Sequence, residues 1–154
     1  MSNCGQSHTV LPNGWKEAYL PDLIGAGGLM SDGDWVETKD QDPNGTVRLI
    51  QLADVGDGVF KDKSERFLTK AAAVRLNCTI LRPGDVLIAR MPDPLGRACV
   101  FGGLGQECCT VVDVCIVRHG NGGCEPSWLM HFINAPQVRI SDHREREDRA
   151  IVNG

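Results

Sequence analysis

The stretch Cys109-Thr110-Val111-Val112-Asp113-Val114-Cys115-Ile116-Val117-Arg118 is the most β-prone run in the chain and its strongest constraint on folding. It predicts a central strand, in which Asp113 needs either a buried partner or a position at a sheet end. Two shorter apolar runs support a sheet around it. Arg82-Pro83-Gly84-Asp85 reads as a turn that delivers Val86-Leu87-Ile88-Ala89, ending at Arg90. After the connecting loop 91–97, Ala98-Cys99-Val100-Phe101 pairs naturally with that strand. Thr46-Val47-Arg48-Leu49-Ile50-Gln51-Leu52 alternates polar and apolar with a slip at Leu49-Ile50, and predicts a further strand.

Helices are few and short. Thr69 precedes Lys70-Ala71-Ala72-Ala73-Val74-Arg75-Leu76, where a hydroxyl can accept a free first-turn N–H and alanines favour helix, so about two turns are expected. Glu125-Pro126-Ser127-Trp128-Leu129-Met130-His131-Phe132-Ile133-Asn134 begins like a helix with proline near its first turn, and Pro136 interrupts it. The segment 141–149 mixes charges at helix-like spacing and reads as solvated. With only 4 Phe, 3 Trp and 1 Tyr, the core must come mainly from Val, Leu, Ile and Ala. The expected class is therefore α+β, a mixed twisted sheet with short helices. At 154 residues one domain is expected, large enough to fold without disulfide staples. Residues 1–11 read as an N-terminal tail and 12–154 as the folded unit.

The chain begins without the basic start and apolar stretch of a secretory signal, and no segment approaches 18 apolar residues, so a cytoplasmic protein with no membrane partner is expected. Seven cysteines make an odd count and read as reduced thiols, with Cys78, Cys99 and Cys115 acting as small core hydrophobes. Cys115, His119 and Cys124 offer a zinc alternative but lack a CxxC pair, so no metal and no cofactor are expected.

The formal charge of −4 excludes strong non-specific binding to nucleic acid or acidic lipid. Its distribution is uneven: residues 1–65 carry −6, residues 66–118 carry +3 and residues 119–154 carry −1. Enzymatic signatures are missing. There is no Asn-Pro-Pro-aromatic motif, no GxxxxGK[ST] and no HExxH, and the glycine clusters 25–28 and 102–105 lack a dinucleotide fingerprint. Asp62-Lys63 and Pro92-Asp93 are fragments of a nuclease pattern without its Glu-x-Lys, and Cys108-Cys109 lacks a recognisable electropositive niche. A non-enzyme is expected.

In order along the chain stand Gly14-Trp15 with Leu20 and Leu23, then Gln51-Leu52-Ala53-Asp54-Val55-Gly56-Asp57-Gly58-Val59-Phe60, the Ala-rich helix, and Pro83-Gly84-Asp85-Val86-Leu87-Ile88. Gly96-Arg97 and Trp128-Leu129 follow. This ordered set, covering roughly 12–154, resembles the target recognition domain of type I restriction-modification specificity subunits. The resemblance implies a non-catalytic module that reads half of a split double-stranded DNA target for a methyltransferase (modification) subunit and a restriction subunit. A full specificity subunit has two such domains joined by long helices, whereas this sequence holds one; a homodimer stands among the partners considered.

Arg90 and Arg97 bracket the proline-rich loop at a sheet end, where a guanidinium suits the O6/N7 edge of guanine. Lys61, Lys63 and Arg66 suit phosphates, and Arg48 and Gln51 complete the candidate set. The competing reading is a stand-alone protein-interaction module, or a mobile-element relic of the same fold. A basic loop patch favours DNA, and a contiguous exposed apolar patch favours protein.

Overall fold

A computed structural model describes residues 10–92, 95–136 and 149–153, the last segment as backbone only. Nine strands are present among them: β1 (Trp15–Tyr19), β2 (Leu29–Ser31), β3 (Val47–Ile50), β4 (Phe67–Leu68), β5 (Val86–Ala89), β6 (Ala98–Val100), β7 (Cys108–Thr110), β8 (Val114–Arg118) and β9 (Arg149–Asn153). The helices are α1 (Leu20–Ile24), α2 (Lys70–Arg75) and α3 (Pro126–Asn134). The expected segment 1–11 lies mostly outside the described residues, as does nearly all of the 141–149 segment.

The strands form three sheets: a pair β1-β9, a four-stranded antiparallel sheet in the order β2-β8-β5-β6, and a three-stranded mixed sheet β4-β3-β7 in which β3 and β7 run parallel. The class is α+β. The expected central strand is in fact two. Cys108–Thr110 joins β3, a turn follows through Val111-Val112-Asp113, and Val114–Arg118 runs antiparallel to β5 in the other sheet. High β-propensity along the whole run did not reveal this break, because the turn closes through backbone bonds, Val114 N–H to the Val111 carbonyl (3.0 Å) and Val111 N–H to Ile50 (3.0 Å). Asp113 takes the sheet-end position, its carbonyl accepting from Arg90 N–H at 2.9 Å. Strand β3 is also shorter than 46–52, since a 3-10 turn over Leu52–Asp54 begins where the apolar run stops.

Side-chain alternation explains the layering. Val86, Ala98, Cys115 and Val117 face Leu23, Ile24, Leu129 and Met130, so one face of the four-stranded sheet lies under α1 and α3. Leu87, Ala89, Cys99, Val114 and Ile116 face the opposite way, against Ile50, Val55, Leu81 and Cys108. The three-stranded sheet is thus packed on the first, and its outer residues Val47, Leu49 and Cys109 are covered by Ala73 of α2. The order of layers is helices, sheet, sheet, helix. Leu49 and Ile50, the slip in the alternation, are both wholly buried because both faces of β3 are covered.

Local rules hold at the edges of these elements. Thr69 Oγ1 accepts from Ala72 N–H at 3.1 Å and starts α2. Pro126 occupies the first turn of α3, which ends before Pro136. Gly84 adopts φ +96° in the turn before β5, a conformation costly for residues with a Cβ. Beside it Asp85, 1% exposed, receives Nε and Nη2 of Arg118 at 2.8 and 2.7 Å, together with Arg82 N–H at 2.8 Å. This two-pronged pair locks the entrance of β5 to the end of β8.

Candidate nucleic-acid interface

The loops at the far end of β5 come together because two arginines tie them. Arg90 follows β5 directly. Its N–H donates to Asp113, its Nη1 lies 2.8 Å from Asp32 Oδ1, and the same nitrogen is 3.4 Å from the Val112 carbonyl. Arg90 thereby touches both the segment after β2 and the turn between β7 and β8. Arg97, at the start of β6, reaches the other way. Its Nε donates to the Val55 carbonyl at 2.6 Å, its Nη2 to Leu52 at 2.9 Å, and its Nη1 lies 3.5 Å from Met91 across the hairpin. Gly58 N–H adds a bond to the Ala98 carbonyl at 2.9 Å. The hairpin between β5 and β6 is therefore held between the 52–60 loop on one side and the 32 and 111–113 loops on the other.

Asp54 shapes the 51–64 loop from within. Its side chain is fully buried and accepts N–H groups from Gln51 (2.8 Å), Lys63 (2.6 Å) and Ser64 (2.8 Å), along with the Ser64 hydroxyl. Burial alone pushes this carboxyl up, but the donors from Gln51, Ser64 and Lys63 outweigh it and hold it below the ordinary carboxylate value. Asp54 also accepts Lys61 N–H on its backbone carbonyl at 2.7 Å. The turn so formed places Asp62 at φ +45°, with exposed Lys61 and Lys63 on either side.

The seven residues singled out in the sequence have different surroundings. Arg48 is 8% exposed, lies over the Phe67 ring (5.5 Å to the centroid) and pairs with Asp62 at 2.7 Å, with Asp54 Oδ1 at 4.0 Å. It is a structural cation facing inward. Gln51 is half-buried and its backbone N–H belongs to the Asp54 network. Arg66 is exposed but turns to Gln41, 3.4 Å away, on a different loop. Arg97 is half-buried, and its guanidinium donates to backbone carbonyls. Lys61, Lys63 and Arg90 are exposed cations, Arg90 directly after β5 and the two lysines on the 51–64 loop that Arg97 ties to the hairpin.

Sequence reading missed two residues of this end. Asp54 carries the loop, and its position three residues after Gln51 is a reciprocal capping spacing that could have signalled it. Asp32, inside what reads as a plain turn 31–34, is the carboxylate that neutralises Arg90. The large exposed apolar side chains are spread over β1 (Trp15, Tyr19), β2 (Met30), α2 (Val74) and several loops, with Val59, Met91 and Leu95 near the stitched hairpin.

Chemistry elsewhere is quiet. His119 Nε2 and Cys124 Sγ lie 3.4 Å apart, but burial lowers the His119 pKa and raises that of Cys124, so both are neutral near pH 7. Cys115 does not complete a metal cluster with them among the described residues. Burial pushes Cys108 up to about 11, which keeps it an unreactive thiol. An open concavity of about 780 Å³ beside Leu81 and Phe101 is lined by neither thiol nor imidazole. Among the described residues no helix is long and apolar enough to cross a membrane.

The fold is that of one portion of the specificity subunits of type I restriction-modification systems. A chain from a structure of the type I R-M system, described for its complex assembly and conformational transition, superposes with a TM-score of 0.64 at 18% identity over 96% of this chain and 36% of that one. The HsdS subunit from Thermoanaerobacter tengcongensis superposes with a TM-score of 0.61 at 20% identity, over 91% of this chain and 32% of that one. The chain thus spans about a third of the length of each. No protein-family model matches the sequence, and no curated protein matches it.

Proposed function

We propose that this chain is a non-catalytic, sequence-specific reader of double-stranded DNA, equivalent to one target recognition domain of a type I specificity subunit. In this reading it directs a cytoplasmic modification and restriction complex to half of a bipartite target, and a second copy or a second recognition unit supplies the other half. The observation that carries the reading is the stitched end of the sheet, where exposed Arg90 follows β5 and Arg97 ties the same hairpin to the loop that bears exposed Lys61 and Lys63, in a fold shared with HsdS.

The division of labour follows from burial. Arg97 positions the hairpin and the 52–60 loop rather than reading a base. Arg90 reads, because its pair with Asp32 is solvent-exposed on both sides (47% and 61%) and exposed pairs contribute only about 0–1 kcal/mol, which a guanine edge readily replaces. Lys61 and Lys63 hold phosphates and set orientation. Met91 and Leu95 offer apolar contact to thymine methyl groups. Arg48 and Arg66 take no part at this hairpin.

Selection from a randomised duplex pool at low salt, followed by competition with unrelated duplex, tests the reading. Enrichment of one short motif that is lost on Arg90→Ala supports it. Failure of any motif to enrich overturns it.

A further inference from the structure

Next to the loops that hold Arg90, three ligand-bearing side chains distant in sequence meet between α2 and β7. One carboxylate oxygen of Asp34 and the sulfurs of Cys78 and Cys109 all lie within 4.8 Å of one another. Each is held by backbone rather than by chance side-chain packing. Asp34 N–H donates to the Thr110 carbonyl at 2.9 Å and the residue bridges Val111, an approach so close that a Cβ on Gly33 would stand 1.9 Å from the Val111 carbonyl. Cys78 follows the left-handed Asn77 (φ +53°) that ends α2, and its N–H donates to Ala73 at 2.9 Å. Cys109 is a β7 residue in register with Leu49.

Core packing accounts for Cys109, which is wholly buried among Val47 and Leu49, but not for a half-buried carboxylate beside two thiols. Thr79 N–H is 3.1 Å from both Asp34 oxygens, and among the described residues no lysine or arginine pairs with Asp34. We propose that Asp34, Cys78 and Cys109 form a three-ligand site for a zinc-class divalent cation, with the fourth position open to an external ligand. Two thiolates and a carboxylate are the donors a borderline-soft tetrahedral ion takes. Tetrahedral bonds of about 2.0–2.3 Å set neighbouring ligand atoms roughly 3.3–3.8 Å apart, so closure asks for shifts of about an ångström. The two thiol protons leave to solvent as the ion binds. Asp34 and Cys78 are half-buried and Cys109 is buried, which places the open position outward.

Cobalt(II) titration into the fully reduced chain, with zinc(II) as competitor, tests the site. The expected result is one cobalt per chain with a thiolate charge-transfer band, displaced by zinc, absent in Cys78→Ser and unchanged in Cys124→Ser. Asp34→Asn, which keeps the shape of the side chain, weakens binding by at least about tenfold while the band persists, a readout that survives if Cys78→Ser fails to fold. Absence of the band at one equivalent, or a band that vanishes in Cys124→Ser and stays in Asp34→Asn at full affinity, overturns the site. A Cys78–Cys109 disulfide whose reduction yields no cobalt binding overturns it equally.

Discussion

Arg97 Nε donates to the carbonyl of Val55, 42 residues earlier, at 2.6 Å. The same guanidinium reaches Leu52 at 2.9 Å, so one planar side chain fixes the spacing between the β5–β6 hairpin and the 3-10 turn over 52–54. A lysine, with a single compact ammonium, cannot span both carbonyls in that fork geometry.

Arg97→Ala and Arg97→Lys are therefore both expected to destabilise, the former by about 1–3 kcal/mol through lost charged hydrogen bonds. For a chain of this size each kcal/mol lowers Tm by roughly 2–4 °C, readable by thermal unfolding. DNA affinity should fall with both, and equally across target sequences. A sequence-selective loss with unchanged Tm would show that Arg97 reads a base instead.

Arg90 should behave in the opposite way. Arg90→Ala is expected to leave stability within about 0.5 kcal/mol, as exposed substitutions do, and to relax preference at one base pair. Asp32→Asn removes the competing carboxylate 2.8 Å from Arg90 and should tighten DNA binding severalfold at low salt. Mobility shifts on the selected duplex measure both, and weaker binding by Asp32→Asn would count against a free Arg90 at the interface.

Lys61→Ala and Lys63→Ala are expected to weaken binding uniformly across sequences. Each should reduce the slope of log K against log salt by about 1, the signature of a lost phosphate contact. A salt titration of the wild-type chain and both variants checks this, since an unaltered slope places the side chain off the phosphates.

Asp54 gives a pH prediction. Its folded pKa is held below the ordinary 3.8, so its contribution to stability is full above the unfolded value and disappears as pH falls through the lower folded one. Urea midpoints should fall on the acid side of that value. Asp54→Asn turns an amide NH₂ toward donors now satisfied by the carboxylate, costing about 2–3 kcal/mol at neutral pH and flattening the acid limb. A variant as acid-sensitive as the wild type would assign the limb to other carboxylates.

Local chemistry made much of the fold legible. Thr69 as a cap, Pro126 in a first turn, the Pro83-Gly84 turn and the β5–β6 pairing all follow from neighbours within a few residues. Long-range features were not legible. Parallel pairing of β3 with β7 joins residues about sixty apart, and nothing in Val111-Val112-Asp113 distinguishes a turn from a strand until Ile50 supplies a carbonyl. The same limit applied to the candidate site. Sequence picked out Arg90 and Arg97 as a matched pair, but only the tertiary contacts separate an exposed guanidinium from one bonded to two backbone carbonyls. Arg48 sits on a strand that reads as alternating, yet both faces of that strand are covered.

The antiparallel pairing of β1 with β9, from Trp15 opposite Asn153 to Tyr19 opposite Arg149, sets the two connections of the folded unit side by side. Strands so paired run about 5 Å apart, so segments 15–19 and 149–153 lie next to each other although more than 130 positions separate Trp15 from Asn153. The ribbon fixes the spacing and direction of these two segments by backbone bonds alone, so side-chain changes along Trp15–Tyr19 leave that spacing in place as long as the five pairs are kept.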